Sequence, residues 1–126
     1  MNLVDTSGWI EFFFEEPNAA VFAPVIEKTD SLLVPVVCLY EAYKKVSIAA
    51  DEAKALQVIA QMKLGSVVDL TEEVALNAAQ LSIKYQLPMA DSLIYATAVM
   101  HNAVLWTQDE HFEKLPRVRY KAKKGA

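Results

Sequence analysis

The sequence predicts an α/β protein, a three-layer α/β/α sandwich built on a short, mostly parallel five-stranded sheet. Three observations carry that reading. Five short runs, at 2–4, 32–34, 66–68, 104–106 and 118–120, are mostly apolar on both faces, as strands of a sheet covered on both sides are. The intervals between them show helical periodicity with capping residues at their starts. Strands alternating with single or paired helices imply right-handed crossovers.

Taken in order, strand 2–4 is followed by Ser7, which can cap a helix through Phe14, and by Asn18, which can cap another to Lys28. After strand 32–34, Pro35 suits the first turn of a helix over 36–49, and a further helix covers 51–63. In the 36–49 helix, Val36, Leu39, Tyr40, Tyr43 and Val46 recur at three- and four-residue spacing and read as the buried stripe. Thr71 caps a helix over 72–85. Pro88 precedes a last helix that carries Asp91 in its first turn and ends near His101-Asn102, where Asn is tolerated.

The 126 residues make one domain, 1–126, with a basic C-terminal segment from about residue 114. Such a chain buries roughly 68% of its unfolded surface. An apolar content of 54% against 22% charged residues excludes a disordered chain. A lone cysteine, Cys38, allows neither an internal disulfide nor a paired-Cys metal motif. Asp5 interrupts the first apolar run with no basic segment before it, unlike a signal peptide, and no stretch is long enough to span a bilayer. The expectation is a cytoplasmic protein without membrane segments. The net charge of −4 argues against nonspecific nucleic-acid binding, yet half of the basic residues follow position 113. Lys121, Lys123 and Lys124 are either a solvated tail or a phosphate-contacting edge.

The chemistry concentrates at two strand ends. Asp5-Thr6-Ser7 follows strand 2–4, and Thr107-x-Asp109 follows strand 104–106. Carboxylates beside buried strands need compensation. In such a sheet ligands bind beyond the carboxyl ends of strands, where strand order reverses. If these two strands are neighbours the acids converge, and like charges ~5 Å apart repel by roughly 3 kcal/mol at an effective dielectric near 20. Asp91 is either a macrodipole-stabilised carboxylate in a first turn or a third member at the rim of a packed helix. Glu41 is either a helix-surface residue paired with Lys44 or Lys45 or a fourth member. Thr6, Ser7, Ser92 and Thr107 are each a cap or turn residue, or hydroxyls that orient the neighbouring acids. His101 and His111 are too few and too far apart to read as a metal site, and fit helix-end or loop positions.

As a set, Val4-Asp5-Thr6-Ser7, Glu41, the stretch from Leu87 to Ala98 around Pro88-Met89-Ala90-Asp91-Ser92, and Thr107-Gln108-Asp109-Glu110-His111-Phe112 resemble the PIN-domain nucleases, above all their toxin branch, the VapC-type ribonucleases. The resemblance covers nearly the whole chain. Ser92 stands where relatives often have alanine, and His111 where some carry another acid. It implies a PIN-like fold and hydrolysis of RNA phosphodiester bonds with Mg²⁺ or Mn²⁺. Oxygen ligands without clustered Cys or His suit such hard ions independently. By the resemblance, Asp5, Asp91 and Asp109 hold the metal, and Glu41 holds it through water or orients the attacking water. It also implies an antitoxin partner and a homodimer. Trp9, Phe12, Phe13 and Phe14, four aromatics in six positions, fit a partner groove as well as a core. Two other readings stay open: a phosphotransfer domain with Asp5 as nucleophile, which usually needs a lysine at a late strand end that Trp106-Thr107-Gln108 does not offer, and a catalytically silent binding module.

Overall fold

In the computed structural model, which describes residues 1–124, the chain runs β1 (Asn2–Val4), α1 (Thr6–Phe13), α2 (Ala19–Glu27), β2 (Leu32–Pro35), α3 (Val36–Ala49), α4 (Glu52–Met62), β3 (Ser66–Val68), α5 (Glu72–Tyr85), α6 (Met89–Met100), β4 (Val104–Thr107) and β5 (Val118–Tyr120). Short 3₁₀ turns at Thr29–Ser31 and Glu110–Phe112 complete it. The strands are ordered β3-β2-β1-β4-β5 and every pairing is parallel. Successive residues of a strand point to opposite faces. Leu3 and Val4 are both fully buried, so helices cover both faces of the centre, as the sequence predicts. The edge strands differ from that expectation. Ser66 and Val67 of β3 and Arg119 of β5 are exposed, because a rim strand has a neighbour on one side only. Among the described residues, no helix is long and apolar enough to cross a membrane.

Two helix starts are set by different residues from those the sequence suggests. Asp5, not Ser7, caps α1: its backbone is extended and its carboxylate accepts from the Gly8 amide at 3.1 Å. Gly8 admits close packing, since a Cβ there would lie 2.6 Å from Val4 Cγ1 and 2.8 Å from Phe22 Cδ1. Asn18 precedes α2, but its side chain makes no capping bond and points elsewhere. Thr71 caps α5 as expected, through the Val74 amide. Asn102 takes the left-handed conformation (φ 53°) just beyond α6.

The stripe read on α3 is rotated from the real one. Cys38, Ala42 and Val46, one turn apart, are the fully buried positions, while Tyr40 is 66% exposed. Leu39 and Tyr43 are half-buried, packed with Ile59 at the edge of the core. Small residues let α3 approach the interior, and the larger apolar residues that dominate the periodicity serve its packing on α4.

Candidate functional site

The order β3-β2-β1-β4-β5 places the reversal of strand sequence between β1 and β4, whose carboxyl ends carry Asp5 and Thr107 through Asp109. The Asp5 amide donates to the Trp106 carbonyl at 3.2 Å, so the two ends are joined to the last residue. Asp5 is 3% exposed. Its Oδ1 accepts from Ser7 Oγ (2.7 Å) and the Gly8 amide, and its Oδ2 from Thr107 Oγ1 (2.7 Å). Burial pushes its carboxyl up to about 6; the bonds from Thr107, Ser7 and Gly8 oppose the rise, and the charge of Asp109 adds to it.

Thr107 does two things at once. While its hydroxyl donates to Asp5, the same oxygen accepts from the Asp109 amide at 2.9 Å. One side chain therefore sets the positions of both strand-end acids. Thr107→Val keeps the volume and removes this bridge, leaving Asp5 Oδ2 and the Asp109 amide unpaired. We expect a loss of about 1–3 kcal/mol of stability and ~10- to 100-fold weaker metal binding. Thr107→Ser should restore both. Calorimetric titration with Mn²⁺ checks this, and parent-like affinity in the valine variant would show the bridge to be idle.

Asp91 arrives from the first turn of α6 and Asp109 from the turn after β4; with His111 they offer three ligand atoms within 4.8 Å of one another. His111 Nδ1 lies 2.8 Å from Asp91 Oδ2 and 3.1 Å from Asp109 Oδ1, within hydrogen-bond reach of both acids. This corrects the reading of His111 as a plain loop residue; its spacing in sequence hides a bond made across a 20-residue separation. His101 does lie at a helix end, its Nδ1 2.9 Å from the Thr97 carbonyl. Burial, then the charge of Asp109, raises the Asp91 carboxyl above the usual range, opposed by His111; Glu41 adds a smaller push. Glu41 accepts from Thr6 Oγ1 at 2.6 Å, not from Lys44 or Lys45. Beneath these groups lies the buried Cys38 thiol, raised by burial and then by Asp5 and Glu41.

The charge of Asp109 thus reaches both Asp5 and Asp91, that of Glu41 reaches Asp91, and Thr6, Ser7 and Thr107 orient Glu41, Asp5 and Asp109. Ser92 does not: its hydroxyl turns back to the Met89 carbonyl at 2.7 Å, satisfying the first turn of α6. Nor is Trp9 a surface residue. It is fully buried and stacks on Phe13 at 6.0 Å, because the short α1 inserts that side chain into the core. Phe12, Phe13 and Phe14 are half-buried against the same core. Lys121, Lys123 and Lys124 are exposed, but the segment is tied down through Lys121 N–H to the Thr107 carbonyl (2.9 Å) and Asn18 Nδ2 to the Ala122 carbonyl (3.0 Å).

A second network escaped the sequence. Glu11, 2% exposed, accepts from the Asn18 amide and from Gln108 Nε2, each at 2.8 Å, and Asn18 Nδ2 donates to Gln108 Oε1 at 3.0 Å. The available signal was the four-residue spacing of Ser7 and Glu11, which puts both on one face of α1. This network clamps the residue between Thr107 and Asp109.

The donor set fits a hard divalent cation. It consists of carboxylate oxygens with one imidazole, the charge of Asp109 helps raise the carboxyls of Asp5 and Asp91, and among the described residues no lysine or arginine pairs with any of the acids.

A family model described as PIN domain matches residues 3–118. No curated protein matches the sequence. Among solved structures, a toxin–antitoxin complex from Klebsiella pneumoniae contains a chain with 18% identity and a TM-score of 0.81, over 98% of this chain and 99% of that one. Mycobacterium tuberculosis VapC20, a sarcin–ricin loop cleaving toxin, aligns at 13% identity with a TM-score of 0.77, over 92% and 95%. A chain of the DNA-bound VapBC from Salmonella typhimurium aligns at 17% identity and 0.73, over 97% and 98%.

Proposed function

Since the chain belongs to the PIN domain family, matched over residues 3–118, we propose that it is a divalent-metal-dependent endoribonuclease and the toxin half of a toxin–antitoxin pair. The observation that carries the reading is the gathering of Asp91, Asp109 and His111 beside a buried Asp5. The same fold carries a sarcin–ricin loop cleaving toxin and a chain of a toxin–antitoxin complex, which supports RNA as substrate and an antitoxin as partner.

Asp5, Asp91 and Asp109 would hold Mg²⁺ or Mn²⁺. Bound there, the ion would neutralise the acids' repulsion, polarise the phosphodiester and acidify a water. The chain's own groups do the positioning. Thr107 fixes Asp5 and Asp109 relative to each other, and Oδ2 of Asp5, with one bond, keeps a lone pair free. Thr6 aims Glu41, which orients the attacking water and takes its proton. The three hydrogen bonds onto the buried Asp5 carboxylate favour a ligand over a phosphorylated nucleophile.

Water attack leaves the 2′-hydroxyl out of the reaction. Incubation of RNA with the protein and Mn²⁺ should give 5′-phosphate and 3′-hydroxyl ends, and a chelator should stop it. A 2′,3′-cyclic phosphate on the product would overturn the mechanism.

Two apolar surfaces suit the partners. A groove of about 550 Å³ between α3 and α4, lined by Leu39, Tyr40, Tyr43, Ile48 and Ile59, suits a helix of the antitoxin. The face bearing Leu70, Ile83 and Met89 (46%, 82% and 78% exposed) suits a second copy of the chain.

A further inference from the structure

Next to the acids lies a second cleft, of about 370 Å³, that the hydrolytic reading does not use. Ser7 and Gln108 line it, with Ile10, Pro17 and three lysines, Lys45, Lys123 and Lys124. Ser7 is the shared wall: its hydroxyl donates to Asp5 and accepts from the Gln108 amide at 3.2 Å, so the cleft is one side chain from the acid cluster.

Two acids also line this cleft, Glu11 and Glu16. Glu11 is buried and both its oxygens are occupied by Asn18 and Gln108, which leaves Glu16 as the one exposed carboxylate against three ammonium groups. Among the described residues none of these lysines is paired with an acid. In a chain of net charge −4 this is a local inversion of sign. The lysines come from α3 and from the C-terminal segment, which Asn18 and Thr107 hold in place, so their convergence is a product of the fold.

We propose that this cleft binds the nucleotide adjoining the scissile bond in the RNA strand, with Lys45, Lys123 and Lys124 on its phosphates and Ile10 and Pro17 under its base. The proposal rests on the reading of the acids as a phosphodiester-hydrolysing centre, which is what brings a polynucleotide to this edge. Ammonium groups on flexible stems suit phosphates met at several angles. A strand so held would run from the basic cleft past Ser7 into the acids.

The test measures binding apart from cleavage. Anisotropy of a labelled single-stranded RNA in EDTA, where metal-dependent hydrolysis is off, is followed over a salt series. The variants are Lys45→Ala, the double Lys123→Ala/Lys124→Ala, and Lys63→Ala at the end of α4 as a control outside the cleft. Each cleft variant should bind several-fold more weakly, with a salt slope shallower by about 0.7 for every phosphate that is no longer neutralised. Lys63→Ala should match the parent. Equal binding by parent and cleft variants, or an equal loss in Lys63→Ala, would overturn the proposal. So would a cleft variant that keeps RNA affinity and loses affinity for oligoglutamate, which would mark a site for an acidic protein segment. Cleavage by the parent with Mn²⁺ is scored separately. Its absence, with lysine-dependent RNA binding intact, would remove the hydrolytic reading and leave the cleft standing.

Discussion

Asp5→Asn should lower RNA cleavage and Mn²⁺ affinity by orders of magnitude while making the metal-free protein more stable at pH 7. The carboxyl is 3% exposed and its pKa is raised to about 6. A carboxyl raised in the folded state favours folding while protonated. Its contribution is fully present below the unfolded value near 4 and is lost as pH rises through about 6. At pH 7 the ionised group therefore costs the metal-free fold up to about 3 kcal/mol. Asparagine keeps an acceptor for Ser7 Oγ and the Gly8 amide, and its NH₂ can donate to Thr107 Oγ1, reversing that bond. Thermal melts of parent and variant without metal should differ at pH 7 and converge toward pH 4. A difference that does not change with pH would mean that ionisation of Asp5 is not its source.

Trp9→Ala should cost about 3–5 kcal/mol, the range for truncating a large buried aromatic. That is a large share of the 5–15 kcal/mol that typically holds a domain folded. The side chain is fully buried, and its indole N–H has no hydrogen-bond partner among the described residues. Trp9→Phe should therefore cost less than its lost volume suggests, because the unpaired N–H goes with it. Urea melts of the two variants give the comparison. A Trp9→Ala protein as stable as the parent would return this residue to the surface, where a partner groove could use it.

The sequence was legible where a single physical pattern decided the outcome. Two-sided apolar runs located β1, β2 and β4, and strand-end acids with neighbouring hydroxyls located Asp5, Thr107 and Asp109 at a shared edge. It was less legible where two partners competed for one residue. On α3, Leu39 and Tyr43 belong to the packing against α4, so the periodicity pointed to the wrong face. Ser92 sits beside an acid but answers to its own helix turn. His111 and Glu11 gain their roles from residues 20 and up to 97 positions away, and no local spacing encodes such bonds.

The bond between Thr107 and Asp5 spans 102 residues, and β1, the middle strand, pairs on one side with β2 and on the other with β4. During synthesis β1 emerges well before its second neighbour, β4. Until then half of its backbone groups face an empty lane, and pairings this distant in sequence form slowly. Asp5 meanwhile lies in a chain that has no Asp91, no Asp109 and no basic C-terminal segment. The centre is thus assembled from residues more than a hundred positions apart, and a nascent chain that has not yet reached Thr107 and Asp109 holds Asp5 without the groups that orient it from the far strand.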